Sequence, residues 1–366
     1  MARRISTAAL PADALAASFP HMDLPITPPF PPMDAATADT LPHGEGWRFE
    51  PKWDGFRCLA FKSDGQVVLQ SKAGQPLTRY FPDVEAALAA LPRKAFVLDG
   101  EIVIVSGGHL AFDDLLQRIH PAETRVRRLA AETPATFMAF DCLVTPRGRS
   151  LAGEPLSARR EQLEAFFSGL DADDVLLSPQ TEARKVAEGW LRELGGAGLD
   201  GVVCKRADLP YRSGLRDGMV KVKRLRTADC IVAGYRYAQA GGAIGSLLLG
   251  LVNDDGLIDH VGFASSFTAA ERTALKPIVE PLRGGAGFTG RAPGGPSRWS
   301  AGRNTEWVPL EPRLVCEVRY DHYSEGRFRH GTRFLRWRPD KGPAQCTFEQ
   351  VEPRRQAHLL RSLGLR

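Results

Sequence analysis

The sequence predicts a two-domain α+β protein whose second domain is a small β-barrel. Three observations support this prediction: a Pro- and Ala-rich start, a stretch where helical and strand patterns alternate, and a later stretch of mostly strand-like patterns. The corresponding limits are 1–45 for an N-terminal extension, 46–226 for the first domain and 227–366 for the second. A chain of 366 residues can bury a separate core in each of two domains.

The N-terminal extension contains "LPITPPFPPM" at 24–33, which favours an extended conformation over a folded domain. No apolar stretch in it has the length of a signal peptide, and Met22 is an alternative start. The apolar run at 245–252 is too short to cross a bilayer. Six scattered cysteines without a C-x-x-C pair indicate buried thiols in a reducing compartment. We therefore expect a soluble cytoplasmic protein without a membrane partner.

The first domain shows both periodicities. Apolar spacing predicts helices over 83–91, 112–119, 156–167 and 185–195, with Ser157 as the N-cap of the third. Strand composition predicts strands in "FRCLAFK", "VVLQSK", "AFVLDGEIVIV", "ATFMAFDCLV", "LDGVVCKR" and "GMVKVKRL". The turn Ser63-Asp64-Gly65 joins the first two strands as a hairpin.

After Thr227 the pattern is mostly β. Five short strand candidates separated by Gly-rich turns predict a barrel, with an OB-fold as the best match. A Gly-, Pro- and Arg-rich loop follows at 284–304. From Arg313 to Arg366 the sequence has 12 Lys/Arg against 6 Asp/Glu, while the whole chain has a net charge of +5. Such a basic segment suits a polyanionic partner such as DNA, although a solvated charged surface explains it equally well.

Common nucleotide and metal motifs are absent from the sequence, which has no Gly-Lys dipeptide for a Walker A loop, no kinase signature and no H-E-x-x-H. What remains is "EPKWDGFR" at 50–57, with Lys52 two residues before Asp54-Gly55. Taken alone, this pattern is also typical of a surface turn.

Charged residues on predicted strands give the motif a context. Asp99 and Glu101 lie two apart on one strand, and Lys221 and Lys223 on another, so each pair shares a face. Paired carboxylates suit a divalent cation or a ribose hydroxyl, and paired lysines suit a phosphate, which would offset their repulsion. Phe140 is a candidate for stacking on a base, although most such residues belong to a core.

In this order, the elements resemble the covalent nucleotidyltransferase superfamily of DNA ligases, RNA ligases and capping enzymes. "EPKWDGFR", "VLDGEIV", "FMAFDCL", "LDGVVCKR", "VKVK" and "FLRWRPDKGP" resemble its motifs I, III, IIIa, IV, V and VI. The flanking residues are most similar to bacterial ATP-dependent DNA ligases, namely the stand-alone LigC type and the ligase module of LigD. The resemblance implies an adenylation domain of antiparallel sheets with flanking helices, followed by an OB-fold domain.

The resemblance also implies a role for each site residue. Lys52 would attack ATP and carry AMP, in surroundings that lower its pKa. The nucleotide would be bound by Glu50, Arg57, Glu101, Phe140, Lys221 and Lys223. Mg²⁺ or Mn²⁺ would be held by Asp99, Glu101 and Asp200. Arg336, Arg338, Asp340 and Lys341 would orient pyrophosphate when the second domain closes, with a hinge at Lys223–Ala228. Lys72 and Arg57 would contact the phosphate of a DNA nick.

Two positions depart from the family pattern. "SKAG" at 71–74 stands where the family usually has Ser-Arg-Asn-Gly, so Lys72 offers a point charge instead of a forked guanidinium. Asp200 stands where many relatives have Glu, which shortens its reach by one methylene. Neither change removes a charge that the chemistry requires.

The predicted function is ATP-dependent sealing of nicks in duplex DNA, as a monomeric repair ligase of the cytoplasm that associates with the nucleoid when on DNA. A repair polymerase and end-binding proteins are candidate partners. Two alternatives stay open: an RNA ligase or capping enzyme of the same superfamily, and a non-catalytic nucleic-acid-binding protein that retains the fold. The intact Lys52 and later acids count against the second alternative.

Overall fold

The computed structural model describes residues 17–193, 199–224, 226–238, 242–294, 306–324, 326–351 and 357–365. The chain divides into two compact units, Met1–Arg224 with Pro353–Arg366, and Leu225–Glu352. The C-terminal helix thus belongs to the first unit, whereas the sequence-based limits put it in the second domain. The N-terminal extension also belongs to the first unit. Of the predicted hinge, Leu225 lies outside the described residues.

The described strands of the first unit are β1 (Ala36–Ala38), β2 (Trp47–Lys52), β3 (Phe56–Ser63), β4 (Gln66–Ser71), β5 (Phe96–Val103), β6 (Val105–Ser106), β7 (His109–Leu110), β8 (Thr136–Val144), β9 (Val175–Leu177), β10 (Gly201–Arg206) and β11 (Met219–Lys223). Its first five described helices are α1 (Pro82–Ala90), α2 (Phe112–Arg118), α3 (Glu123–Glu132), α4 (Leu156–Phe167) and α5 (Arg184–Glu193).

The described strands of the second unit are β12 (Arg226–Tyr237), β13 (Ile244–Val252), β14 (Ile258–Ala264), β15 (Val308–Pro309), β16 (Val315–Tyr320), β17 (Tyr323–Ser324), β18 (Arg327–Phe328) and β19 (Arg333–Trp337). Helix α6 spans Ala269–Val279 in this unit, and α7 spans Ala357–Ser362 near the C-terminus. Short 3-10 helices cover Thr78–Tyr80, Glu280–Leu282, Pro343–Gln345 and Phe348–Gln350.

Two large, mostly antiparallel sheets, a short β6-β7 pair and flanking helices make up the described part of the first unit, which confirms the α+β prediction. One has the strand order β1-β11-β10-β2, and the other has the order β4-β3-β5-β8-β9. Strand β3 is apolar on both faces, because Cys58 and Ala60 face a core with the helices while Leu59 and Phe61 face a second core. This explains why its sequence does not alternate with polar residues.

The N-terminal extension packs on that second core. Met22, Ile26 and Met33 are buried against the five-stranded sheet, and β1 pairs in parallel with β11. The segment is extended, as its proline content predicts, but it is an integral layer of the first unit. The sequence-based view of it as a separate leader is therefore wrong for the described residues from 17 onwards.

The second unit is built on the sheet β14-β13-β12-β16-β19, with β15 also paired to β12. A single bridge between Ala264, the last residue of β14, and Thr332, just before β19, links the two edges of this sheet. Its core is apolar and includes the buried Cys230, Cys316 and Cys346. Of the loop predicted at 284–304, residues 295–304 lie outside the described part of the chain.

Local capping differs from the sequence prediction at two helices. Pro155, not Ser157, precedes the first residue of α4, and no side chain caps this helix. Helix α6 was not predicted, although it begins with a capping box in which Thr268 accepts from the backbone N–H of Glu271. The signal was present in the sequence as Thr-x-x-Glu. Among the residues described, no helix is both long and apolar enough to cross a membrane.

The packing of the N-terminal segment can be tested by truncating a buried side chain. Ile26→Ala should lower the free energy of unfolding by about 2–4 kcal/mol, because Ile26 is only 7% exposed. Denaturant unfolding of the purified protein measures this loss. The neighbouring Thr27→Ala, at an exposed position, is the control and should change little. Equal, small effects of both substitutions would mean that the segment is not part of the core.

Candidate active site

The segment between Lys52 and Phe56 crosses from one sheet of the first unit to the other. Lys52 is the last residue of β2 in the four-stranded sheet, and Phe56 is the first residue of β3 in the five-stranded sheet. Trp53 is buried, and its Nε1 donates to Ser178 Oγ at 2.9 Å. At Gly55 a Cβ atom would lie 2.2 Å from the carbonyl oxygen of Ile102, so only glycine fits. The motif is therefore a buried crossing and not a surface turn.

Lys52 lies among carboxylates. Its Nζ is 2.8 Å from Asp200 Oδ2, and the carboxylate oxygens of Asp54 and Asp200 are within 4.8 Å of each other. Burial alone would lower the pKa of Lys52, but Asp200, with help from Glu101 and Asp54, raises it above its usual value. In the protein alone the amine is therefore protonated at neutral pH. The prediction that burial, nearby cations and a metal ion together lower the pKa of Lys52 stays a prediction.

The surroundings of Glu101 shift its pKa strongly. Burial raises its pKa to about 7, even though Lys52 and Arg57 both favour the carboxylate form. In the strand pairing, Glu101 lies directly opposite Arg57. Glu101 thus changes charge within the neutral pH range, next to the predicted nucleophile.

Asp99 has a different role from the one predicted. It is fully buried, and it accepts two hydrogen bonds from Arg57, from Nε at 2.7 Å and from Nη2 at 2.6 Å. The hydroxyl of Tyr211 donates to the same carboxylate at 2.5 Å. The geometry therefore does not support Asp99 as a metal ligand. It holds the guanidinium of Arg57 in place.

A second group of residues surrounds Phe140, which is half-buried. Arg57 Cζ lies 5.0 Å and Lys205 Nζ 4.5 Å from the centre of its ring. Lys205 also pairs with Glu50 Oε2 at 2.8 Å, and Gln180 donates to Glu50 Oε1 at 2.7 Å. Both oxygens of the buried Glu50 are thus oriented, beside an aromatic ring flanked by two cations.

Strand register places the motif lysines on one face of the four-stranded sheet, on either side of β10. Lys52 and Lys223 are both opposite Gly201 of β10, while Glu50 and Lys221 are both opposite Val203. Directly opposed residues share a face of the sheet, so these side chains project to one side. At Gly201, where φ is +153°, a Cβ atom would lie 2.1 Å from the carbonyl oxygen of Val222. No side chain can therefore separate the two lysines.

Lys221 lies close to several other lysines, as its position in the sequence predicts. Burial lowers its pKa, and Lys72, Lys52 and Lys223 lower it further, whereas Asp34 raises it. Lys72, the residue that departs from the family pattern, lies 2.8 Å from Asp34 and is 53% exposed. These lysines form an electropositive border beside the carboxylates around Lys52.

The motif VI residues lie in the second unit and are paired there. Arg338 Nη1 and Lys341 Nζ each contact a different oxygen of Asp229 at 2.8 Å. Arg338 also pairs with Asp340, whose pKa this hydrogen bonding lowers to about 2. Arg336 pairs with Glu317 at 2.7 Å. Their predicted role toward pyrophosphate stays a prediction.

The donor atoms around Lys52 are suitable for a hard divalent cation. Asp54, Glu101 and Asp200 offer carboxylate oxygens, the ligand type that Mg²⁺ and Mn²⁺ prefer. Asp54 was not among the predicted ligands, although it belongs to the Lys52 motif itself. Gln180, Lys205 and Tyr211 were also not predicted as site residues. Lys205 belongs to the recognised motif "LDGVVCKR", whereas no local pattern pointed to Gln180.

Comparison with known proteins assigns the chain to a family. Residues 32–223 match the ATP dependent DNA ligase domain, and residues 240–341 match the ATP dependent DNA ligase C terminal region. The chain belongs to the ATP-dependent DNA ligase family. This confirms the family resemblance drawn from the motifs.

Relatives of two kinds are found. DNA ligase C1 of Mycolicibacterium smegmatis is 46% identical over 341 residues, covering 90% of this chain and 96% of the relative. DNA ligase C of Mycobacterium tuberculosis is 45% identical over 348 residues, with the same coverage. The multifunctional non-homologous end joining DNA repair protein LigD of M. tuberculosis is 30% identical, and the match covers 83% of this chain but 37% of that protein.

The fold is also found among solved structures. A structure of a Lig E DNA ligase aligns with a TM-score of 0.54 and 20% identity, covering 84% of this chain and 99% of that chain. At this identity the similarity shows the fold alone.

The pKa of Glu101 leads to a prediction about stability. Folded protein keeps the proton on Glu101 up to about pH 7, whereas the unfolded chain releases it near the ordinary value of 4.5. The contribution of Glu101 to the free energy of unfolding of the wild type therefore falls as pH rises between these two values. Above about pH 7 this contribution no longer changes. Because glutamine does not titrate, Glu101→Gln should stabilise the protein by roughly 1–2 kcal/mol more at pH 8 than at pH 5.

Denaturant unfolding of both proteins at the two pH values measures this difference. Glu161→Gln, at an exposed position on α4, is the control and should shift both measurements equally. A pH-independent effect of Glu101→Gln would show that Glu101 does not titrate in this range.

Proposed function

We propose that this enzyme seals nicks in duplex DNA through a lysyl-AMP intermediate on Lys52. The observation that carries the proposal is the position of Lys52 at the crossing between the two sheets. Its Nζ is 2.8 Å from Asp200, and it lies opposite Gly201 on the same sheet face as Lys223. Membership of the ATP-dependent DNA ligase family supplies the substrate class.

In the proposed first step, Nζ of Lys52 attacks the α-phosphorus of ATP. A phosphorus–nitrogen bond forms, the bond to the β-phosphate oxygen breaks, and pyrophosphate leaves. The amine must first lose the proton that it shares with Asp200. Lys221 and Lys223 would hold the α-phosphate, because phosphoryl transfer depends mainly on positioning and charge neutralisation.

The residues around Phe140 would bind the nucleoside. The half-buried ring of Phe140 offers a stacking surface for adenine, and the oriented carboxylate and backbone of Glu50 lie close by. Arg57, fixed by Asp99, would contact the ribose or the nick phosphate, and Glu101 would accept from a ribose hydroxyl. This arrangement explains why charged residues are buried here at all.

Asp54, Glu101 and Asp200 would hold Mg²⁺ or Mn²⁺. The bound ion would supply positive charge to the phosphate oxygens, which eases attack by a nucleophile. Asp99 is excluded from this set because Arg57 and Tyr211 engage its carboxylate.

In the later steps, AMP would pass to the 5′-phosphate of the nick, and the 3′-hydroxyl would displace it. We propose that the second unit is an OB-fold that clamps DNA and delivers Arg336, Arg338, Asp340 and Lys341 to pyrophosphate by a hinge near Lys223–Ala228. The bridge between Ala264 and Thr332 supports the barrel assignment. Similarity to DNA ligase C1 and DNA ligase C over 96% of their length supports a ligase of that stand-alone type. We further propose that it acts in DNA repair in the cytoplasm, as a monomer, with a repair polymerase and end-binding proteins as partners.

The lysyl-AMP step is tested by intact mass. Protein freed of AMP and incubated with ATP and Mg²⁺ should gain the mass of one AMP, and Lys52→Ala should gain none, because no other lysine occupies the nucleophile position. Lys94→Ala, at an exposed position, is the matched control and should gain AMP as the wild type does. AMP on Lys52→Ala, or its absence from the wild type, would refute the assignment.

The substrate is tested by sealing assays on nicked duplexes. We expect sealing of a DNA nick with a 5′-phosphate in the presence of ATP, at least tenfold faster than sealing of a nick in an all-RNA duplex or sealing with GTP. Rapid sealing of the RNA nick would favour an RNA ligase. A protein that binds DNA but takes no AMP from ATP would favour a non-catalytic protein. The assay separates these outcomes because adenylation is measured independently.

A further inference from the structure

Asp34 of the N-terminal segment lies between cations from two other parts of the first unit. Its Oδ1 is 2.8 Å from Lys72 Nζ, which follows β4, and its Oδ2 is 3.2 Å from Arg216 Nε, in the loop before β11. Oδ1 also accepts from the backbone N–H of Ala35 at 2.9 Å. A single carboxylate thus joins three separate segments of the chain.

The backbone near Asp34 does not need these ion pairs to stay in place. The N–H of Asp34 donates to the carbonyl oxygen of Leu215 at 2.8 Å, and the N–H of Met33 donates to the hydroxyl of Tyr211 at 3.0 Å. Ser213 Oγ donates to the carbonyl oxygen of Pro31 at 2.7 Å. Because main-chain contacts fix the segment, the side chain of Asp34 can exchange its partners while the backbone stays in position.

The charges around Asp34 are unbalanced. Lys72 and Arg216 are 53% and 73% exposed, while Asp34 is 17% exposed. Lys221 is also near, because it lies opposite Thr37 where β11 pairs with β1, just after Asp34 in the chain. Together with Lys72 it lowers the pKa of Asp34, against the effect of burial. One carboxylate therefore faces three cations. A terminal phosphate, with a charge of about −1.5 to −2 and three acceptor oxygens, matches such a group better than a carboxylate does.

We infer that Lys72, Arg216 and Lys221 form the site for the terminal 5′-phosphate of the nick, and that Asp34 is an internal anion which this phosphate displaces. The inference rests on the proposed function, and it adds Arg216 and Asp34 to the residues that act on DNA. Lys221 belongs to the same strand as Lys223, which faces Lys52 across β10. A phosphate bound here therefore lies on the sheet face that carries Lys52, the group proposed to receive AMP. Asp34 competes with the phosphate for these cations, so it weakens phosphate binding to the free site.

The test compares binding of two nicked duplexes, one with a 5′-phosphate and one with a 5′-hydroxyl. Protein freed of AMP is used without ATP, so that no strand is sealed. Asp34→Asn should tighten binding of the phosphorylated nick about 3- to 10-fold and leave binding of the hydroxyl nick nearly unchanged, because it removes the competing charge. Arg216→Ala should weaken binding of the phosphorylated nick by a similar factor and bring the two affinities together.

Matched controls remove charge elsewhere on the same unit. Asp208→Asn and Arg127→Ala each break an exposed ion pair, with Arg206 and Glu123 respectively, and should change both affinities equally. Weaker or unchanged binding of the phosphorylated nick by Asp34→Asn would overturn the inference, since Asp34 would then be a structural partner of Arg216. Thermal unfolding of each variant shows whether a loss of binding reflects a loss of folding.

The test is separable from the proposed function. Failure of the proposed function would appear as a wild-type protein that takes no AMP from ATP. Failure of this inference would appear in a protein that is adenylated and seals nicks, but whose preference for the 5′-phosphate does not respond to Asp34 or Arg216.

Discussion

Charge balance in a buried space is the constraint on which the first unit depends. Lys52, Arg57 and Lys205 lie largely out of water, and each has a carboxylate within hydrogen-bonding distance, from Asp200, Asp99 and Glu50 respectively. An unpaired buried charge costs several kcal/mol, so each pair fixes the strands that carry it. The sheets, the crossing at residues 53–55 and the register of β10 with β2 and β11 all bring these partners together.

This balance also sets the protonation state of Lys52, the proposed nucleophile. In a site with several acids, the ion pair with Asp200 outweighs burial and keeps Lys52 protonated. Reactivity then requires that the pair be broken when phosphates and their counterion enter. The acids around Lys52 thus stabilise its protonated form, and Lys221 and Lys223 carry the positive charge that the proposed binding of phosphates needs.

The N-terminal segment contributes to the site as well as to the core. The carbonyl oxygen of Met33 accepts a hydrogen bond from Arg57, and its N–H donates to the hydroxyl of Tyr211. Asp34 forms ion pairs with both Lys72 and Arg216. A Pro-rich sequence suits this task, because it lays an extended backbone across a sheet without needing its own hydrogen-bond ladder. Polar groups of the segment, such as Asp34 and the carbonyl oxygen of Pro31, then bind side chains of the loop before β11.

The sequence by itself determined the α+β class, the change to a mostly β second unit and the motifs around Lys52, because strand alternation and short motifs are local patterns. It also placed Lys221 and Lys223 on one face. Only the tertiary structure decided that Asp99 holds Arg57 instead of a metal, that Asp200 raises the pKa of Lys52, and that Gln180 and Asp34 reach the site. These outcomes depend on contacts between residues far apart in the chain and on the burial of each charge, which no local pattern encodes.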